Sequence, residues 1–308
     1  MLYYYCKNST FSSIIKNRSL WLSDMTQSND SYEIYKYVDI VKDAIKNCLA
    51  SLPAINREDA PQKGPRIKEY HQVENLRKVY KAAIKKLSSF GASYYCLAIC
   101  FSDMQDNLSQ WRGYGDDGFG ISIGFDEQRI EELYNQHILF KYDDVKYYRS
   151  INDELIQEKI RKYLEELKNI GLNIGLAQKD IDHAIKNWCT TILDNDAPFF
   201  KPTGFIDERE TRFCFVRYIH SPEIARPQAE SHLHGVDFHV GNTAIVPHYV
   251  LKLEDASGNF MTDVIREVTI GPCNGSTPNT VRLFLAKNGF DYANIIIKKS
   301  TIPYRTRR

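Results

Sequence analysis

The segment from Tyr94 to Asp126 constrains the fold of this chain more than any other. Tyr94–Phe101 is an unbroken apolar run, Tyr-Tyr-Cys-Leu-Ala-Ile-Cys-Phe. A run of that length without a polar return at either the strand or the helix period is the pattern of a strand buried on both faces. The chain then turns polar and irregular over Asp103–Gly118, with a helical turn at Trp111 and Arg112. Gly113, Gly115, Gly118 and Gly120 let the backbone bend and approach closely. It resumes as an alternating strand, Phe119–Phe125, that ends in Asp126. These glycines do not follow the strand–loop–helix order of a phosphate-binding fingerprint.

Around this segment the period alternates between strand and helix. Residues 2–6 and 20–23 read as strands. Between them Ser9-Thr10 offers a cap for a helix that buries Phe11, Ile14 and Ile15. Apolar residues at three- and four-residue steps predict helices over about 32–52 and 67–89, and two more over 151–193, broken near Gly171–Gly175. Thr211–Tyr218 is a strong strand. Val145–Tyr148, Ala244–Leu253, Val264–Ile270 and Asn294–Lys298 are further strands, and Asn279–Asn288 is a helix ended by Gly289. Ala197–Phe205 is a loop, and 221–243 is an irregular insertion. No repeat, low-complexity tract or clean linker divides the chain. The expectation is one α+β domain over 1–308, with helical insertions at about 32–89 and 151–193.

Charge excludes some functions. With 40 Lys and Arg against 39 Asp and Glu, the chain makes no general claim on nucleic acid or a membrane surface. Tyrosine is abundant, with 20 copies, and suits either a packed core or a cleft that stacks a flat ligand. The seven cysteines show no zinc spacing; Cys96 and Cys100 lie on one face of the apolar strand, where burial raises a thiol pKa and argues against a nucleophile. Reduced buried thiols, the lack of a targeting signal and the lack of a long apolar stretch predict a cytoplasmic protein.

Three constellations can carry chemistry. In the central block Arg112 could grip a phosphate or carboxylate, with Trp111 and Tyr114 stacking a base. The structural alternative pairs Arg112 with Asp106 and puts Trp111 in the core. In Phe205-Ile-Asp-Glu-Arg-Glu-Thr-Arg-Phe213, Glu208 and Glu210 precede a strand. Residues two apart on extended backbone point the same way, so both carboxylates could serve one sugar centre as a positive charge develops there. The alternative is a solvated edge paired to Arg209 and Arg212. The opening Tyr3-Tyr4-Tyr5 strand, with Trp21-Leu-Ser-Asp24 after the first helix, could sandwich a nicotinamide ring or simply pack. His232, His234 and His239 lie close together but lack the carboxylate or cysteine that completes a metal site, so no metal is expected.

These motifs resemble the bacterial domain of unknown function 2971 family. The likeness rests on Leu2-Tyr-Tyr-Tyr, Leu20-Trp-Leu-Ser-Asp24…Asn29-Asp30, Cys100-Phe-Ser…Leu108-Ser-Gln-Trp-Arg-Gly-Tyr114…Ile123-Gly-Phe-Asp126, Asp207-Glu-Arg-Glu-Thr-Arg-Phe213 and Ile270-Gly-Pro…Ser300-Thr-Ile-Pro-Tyr-Arg305. A second likeness, over three short pieces, is to ADP-ribosyltransferases, many of which open with a Leu-Tyr-His strand, a helix and a short strand, and close their site with Glu-x-Glu at the start of a later strand. That resemblance implies a split mixed or antiparallel sheet gripping NAD. It implies Glu210 as the catalytic glutamate, Glu208 as the upstream carboxylate, and Tyr4, Ser23, Arg112, Trp111 and Tyr114 as cofactor-binding residues. Tyr4 stands where that family has a His or Arg, so the cation for NAD would come from Arg112 or Arg18. The acceptor, nucleic acid or protein, is left open. The expected activity is NAD-dependent ADP-ribosyl transfer in a toxin or phage-defence effector. The alternatives are a non-catalytic binding module of a defence system and a nuclease using Asp103, Asp106, Asp116, Asp117 and Glu208.

Overall fold

The computed structural model describes residues 1–25, 33–54, 66–89, 94–136, 140–173, 175–218, 236–240 and 244–306. The first half of the chain gives strand β1 (Leu2–Cys6), helix α1 (Asn8–Asn17), β2 (Ser19–Asp24), α2 (Glu33–Ser51), α3 (Arg66–Ser88), β3 (Tyr94–Ser102), the short α4 (Leu108–Gly113), β4 (Ile121–Phe125), α5 (Glu127–Asn135), β5 (Phe140–Asp144) and β6 (Lys146–Tyr148). The second half gives α6 (Glu154–Leu172), α7 (Gln178–Asn195), β7 (Phe200–Pro202), β8 (Glu210–Tyr218), β9 (Val236–Val240), β10 (Ile245–Lys252), β11 (Ile265–Ile270), α8 (Pro278–Lys287) and β12 (Ile296–Lys299). The architecture is α+β with a mixed sheet.

Ten strands form that sheet, in the order β12-β11-β4-β1-β3-β2-β10-β9, with β8 added to β3 and β5 to β8. Neighbours run antiparallel except β11 and β12; β6 and β7 form a separate parallel pair. The apolar run becomes β3, paired with β8 along its whole length from Tyr94↔Tyr218 to Ser102↔Glu210. Its other edge serves two strands. β1 touches it at Tyr3↔Ser102, and β2 at Ser23↔Ala98 and Asp24↔Leu97. Among the described residues no strand covers that edge at Ile99–Phe101, so β1 and β2 diverge there as two prongs. β1 continues the sheet through β4 and β11, β2 through β10 and β9.

Alternation along β3 assigns its two faces. Leu97, Ile99 and Phe101 join a core with the inner faces of α1, α5 and α8, including Phe11, Ile15, Ile130 and Leu285. Cys96 and Ala98 join a second core built on α2, α3, α6 and α7, with Val41, Ala83, Leu167 and Ile192. Each large apolar side chain so buried contributes roughly 1.5–3 kcal/mol before entropy is counted. The helices of α2–α3 and α6–α7 therefore cover one face. No helix among the described residues is long and apolar enough to cross a membrane.

Some elements differ from the sequence expectation. Asp126 ends β4 and also caps α5, its carboxylate accepting from Gln128 N and Arg129 N. That helix, β5 and β7 were not expected. Nor was β9, which occupies the end of the supposedly irregular insertion; the rest of 221–243 before Val236 lies outside the described residues. Trp111, expected to stack a base, is fully buried. Its ring packs edge-on to Tyr5 at 4.8 Å, and its Nε1 donates to Asp106 at 2.7 Å. Asp106 thus holds Trp111, not Arg112. It also accepts from Ser300 Oγ at 2.7 Å and Thr301 N at 3.0 Å, which lashes the last segment across the corner. Tyr304 and Thr306 hydroxyls fix the same segment to Asp117.

The corner glycines are not equivalent. A Cβ at Gly120 would stand 2.2 Å from the Cys6 carbonyl oxygen, whereas one at Gly113 would meet nothing within 4 Å. The obstacle at Gly120 is backbone of the neighbouring strand, which cannot swing aside. Gly120→Ala should therefore cost at least about 3 kcal/mol or block folding, while Gly113→Ala stays within about 1 kcal/mol of the parent. Urea denaturation of the two variants checks this, and equal costs would contradict the close approach.

Candidate functional site

Where the prongs part, a cavity of about 470 Å³ opens. Its wall is made by Ala98 and the uncovered edge of β3 at Ile99–Phe101, by β1 at Tyr3–Cys6, by Trp21 and Ser23 of β2, and by Lys7 and Thr10 at the start of α1. Gln110, Gly113 and Tyr114 close one end from α4, and Glu210 of β8 stands beside them. The size falls in the ~300–1,000 Å³ range typical of small-molecule sites.

Each polar group here is placed by its element. Tyr3 and Tyr5 turn their rings to Trp111, in a small core of their own, and Tyr5 OH donates to Met104 O at 2.7 Å. Tyr4 points the other way, half-buried, edge-on to Phe101 at 6.2 Å. Burial pushes its phenol pKa well above the ordinary value, so it stays a neutral donor. Ser23 and Trp21 share one face of β2 and are exposed. Behind Trp21 the His248 ring stacks at 3.9 Å. Tyr114, exposed at the rim, donates to Glu208 Oε1 at 2.9 Å.

Below the rim lies a charged network. Glu210 is 6% exposed and Arg212 1%. Glu210 Oε2 accepts from Arg212 Nη2 at 2.5 Å and Nε at 3.1 Å, and from Lys201 Nζ at 3.4 Å. Lys201, 4% exposed along its side chain, also meets Glu208 Oε2 at 2.5 Å and lies 4.6 Å over the Phe205 ring. Tyr147 OH accepts from Glu210 N at 2.9 Å. Burial pushes the Glu210 carboxyl up, but the Arg212 and Lys201 cations overcome it, and the group ionises below the ordinary glutamate value of 4.5. Burial raises the nearby Cys100 thiol far above its usual range, with Glu210 adding to the effect; this cysteine is no thiolate nucleophile.

The two acids do not converge by the pleat of a strand. A 3-10 turn covers Thr203–Glu208, Arg209 is left-handed at φ 45°, and β8 begins only at Glu210. That reversal, with Lys201 between, is what brings the pair together. Arg209 points away to Asp103 at 3.0 Å, and Arg212 is a buried partner, so the network is not a solvated edge.

Tyr4, Ser23, Tyr114 and Glu210 thus line one cavity. Glu208 joins them through Tyr114 and Lys201. Trp111 lies in the core and Arg112 is exposed outside the lining. Arg18 is committed elsewhere, donating to Asn288 O at 2.9 Å and capping the Phe260 ring. Among the described residues that line the cavity, the cation is Lys7. Lys201 was missed by motif reading though the sequence signals it, and Arg212, read only as the salt-bridge partner of a solvated edge, is a buried one. Lys201 stands alone in Ala-Pro-Phe-Phe-Lys-Pro, where only a partnered lysine is tolerated in a buried setting. Arg212 sits two residues from Glu210 on the same strand face. His232 and His234 lie outside the described residues; His239 packs near Trp21. Among the described residues no group of three or more His, Cys, Asp or Glu is arranged to hold a metal ion. The nuclease expectation also loses Asp106 and Asp117, which fasten the last segment.

Residues 110–213 match the model of a family described as a protein of unknown function, DUF2971. The match supports the likeness drawn from the central block and from Asp207–Phe213. It spans Tyr114, Lys201, Glu208, Glu210 and Arg212, and stops short of β1 and β2. No curated protein and no solved structure matches the chain.

The Glu210 environment fixes a pH dependence. Its folded pKa is depressed, so its ionisation stabilises the fold fully above about pH 4.5, the ordinary value, and that contribution is lost as pH falls through the lower folded value. Glu210→Gln should cost roughly 3 kcal/mol near neutral pH, and less as the acid limb is descended. Melting temperatures of both proteins between about pH 3 and pH 7 should converge towards the acid end; parallel curves would exclude Glu210 from the linkage.

Proposed function

We propose that the cavity binds NAD and that the chain is an ADP-ribosyltransferase-like enzyme, with Glu210 as its catalytic carboxylate. One observation carries the reading: the opening tyrosine strand and Glu210 at the start of β8, more than two hundred residues apart, face one cavity. The geometry supports a division of labour along it. Glu210 and Tyr114 form one end. Trp21 and Ser23 form the other, four residues away along β3, or roughly 13 Å at strand rise.

In this reading the Tyr4 and Ser23 hydroxyls orient the dinucleotide. The first turn of α1 lies at the wall with Lys7 as its N-cap residue and no side-chain cap on its free amides, a setting that favours phosphate. Lys7 takes the part expected of Arg112 or Arg18. The bond from the ribose C1′ to the nicotinamide nitrogen breaks with its electron pair going to nicotinamide. The ionised Glu210 faces the positive charge left on the sugar. The acceptor adds its lone pair to C1′ and gives up its proton, with Glu208 assisting.

A second reading, a binding module without chemistry, is favoured by one feature. Arg212 and Lys201 already neutralise Glu210 Oε2, which weakens its field at a developing cation. Incubation of the purified protein with labelled NAD and cell extract separates the two. The enzyme consumes NAD or labels an acceptor. Glu210→Gln, shown folded by circular dichroism, loses about 100-fold or more, and Tyr4→Phe raises KM by about five- to tenfold. Saturable NAD binding with no turnover means the binding module; neither binding nor turnover sinks both readings.

A further inference from the structure

Lys201 touches both acids of this network: 2.5 Å to Glu208 Oε2 and 3.4 Å to Glu210 Oε2. It comes from a different layer of the fold. β7 is part of the separate two-stranded pair with β6, so the ammonium reaches Glu210 from outside the sheet that carries it, while Glu208 ends the turn that follows β7. Arg212 holds Glu210 through Nε and Nη2 and gives another donor to the Pro198 carbonyl. Two glutamates brought this close repel, and a cation between them offsets that repulsion.

We propose that Lys201 is a positioning residue: by bridging Glu208 and Glu210 it keeps both ionised and holds Glu210 at the cavity wall. For its effect on turnover this rests on the NAD reading; for the ionisation of the pair it does not. The other titratable and charged groups around the pair are Arg212 and Cys214 on β8, Cys100 on β3, Tyr114 after α4 and Tyr147 on β6. The phenols and thiols are neutral across the relevant range. Tyr147 is pushed up to about 12 by burial, and burial raises Cys100, Cys214 and Tyr114 well above their ordinary values as well. Arg212 stays charged throughout. The change on removing Lys201 is therefore carried by the two acids.

The test is a carboxyl-carbon NMR titration of the full chain, comparing the parent, Lys201→Met and the double variant Lys201→Met/Glu208→Gln, with NAD turnover followed against pH in parallel. The double variant removes the repulsion together with the bridge, so it should fold even where the single variant does not. In Lys201→Met one glutamate should titrate at least about tenfold more weakly as an acid than in the parent. In the double variant Glu210 should return most of the way. Turnover by the single variant should fall about tenfold or more with KM within about twofold, its acid limb moved to higher pH, and Lys201→Arg should restore most of kcat. A titration of the pair unchanged in Lys201→Met overturns the proposal whatever the turnover. If the single variant does not fold, a Glu210 in the double variant that still titrates as weakly as a repelled acid overturns it too. A moved titration in a protein whose parent form never consumes NAD leaves Lys201 as the residue that sets the pair and removes the NAD reading instead.

Discussion

One edge of β3 has to satisfy two strands, and the cavity follows from that competition. Backbone amides and carbonyls in a sheet interior seek partners, yet β1 takes the edge only at Ser102 and β2 only at Leu97–Ala98. The stretch between is left to face the cavity. β8 pairs with the opposite edge over nine registered positions, so the strand is held along its whole length without help from the prongs. The full ladder on one side is what permits an incomplete one on the other.

The same ladder positions the acids. Ser102↔Glu210 is its last pair, so β8 begins where the cavity ends. The turn before it has no pleat to follow. The left-handed Arg209 turns the chain, Ser102 Oγ and the Gln110 amide secure the Glu208 carbonyl at 2.7 and 3.1 Å, and β7 delivers Lys201 from the side. Charge in this network is balanced, two carboxylates against two cations, which is the condition under which such groups persist out of water. The network is also why the chain's near-neutral total charge is no guide to the site: the local field is set by groups that cancel in any sum.

Much of this was legible in the residues. The apolar run at Tyr94–Phe101, the helical periods and the strong strand before Tyr218 are local signals, and local signals survive folding. The glycine corner was readable as a corner, although only close approach in three dimensions separates Gly120 from Gly113. Tyr4 and Glu210 were readable as candidates, but their meeting depends on β1 and β8 flanking β3, which no periodicity encodes. Trp111 and Tyr114 looked alike as aromatics in one motif. Their fates diverge because Asp106 captures the indole while the chain bends at Gly115. β9, Val-Asp-Phe-His-Val, does alternate, but its side chains are mostly exposed, and a strand without a buried face gives pattern reading little to hold.

The order of strands across the sheet runs against their order in the chain, and this bears on how the molecule is made. β1 is flanked by β4, which in turn requires β11; β2 is flanked by β10. A polypeptide emerging amino terminus first exposes both prongs long before the strands from 245–270 exist to brace them. Contacts of such sequence separation form slowly, and apolar strands awaiting partners are prone to wrong ones. Synthesis therefore passes through a stage in which the helical layer can assemble on β3 and β8 while the two prongs remain provisional, and the hollow between them takes its shape among the last things the chain does.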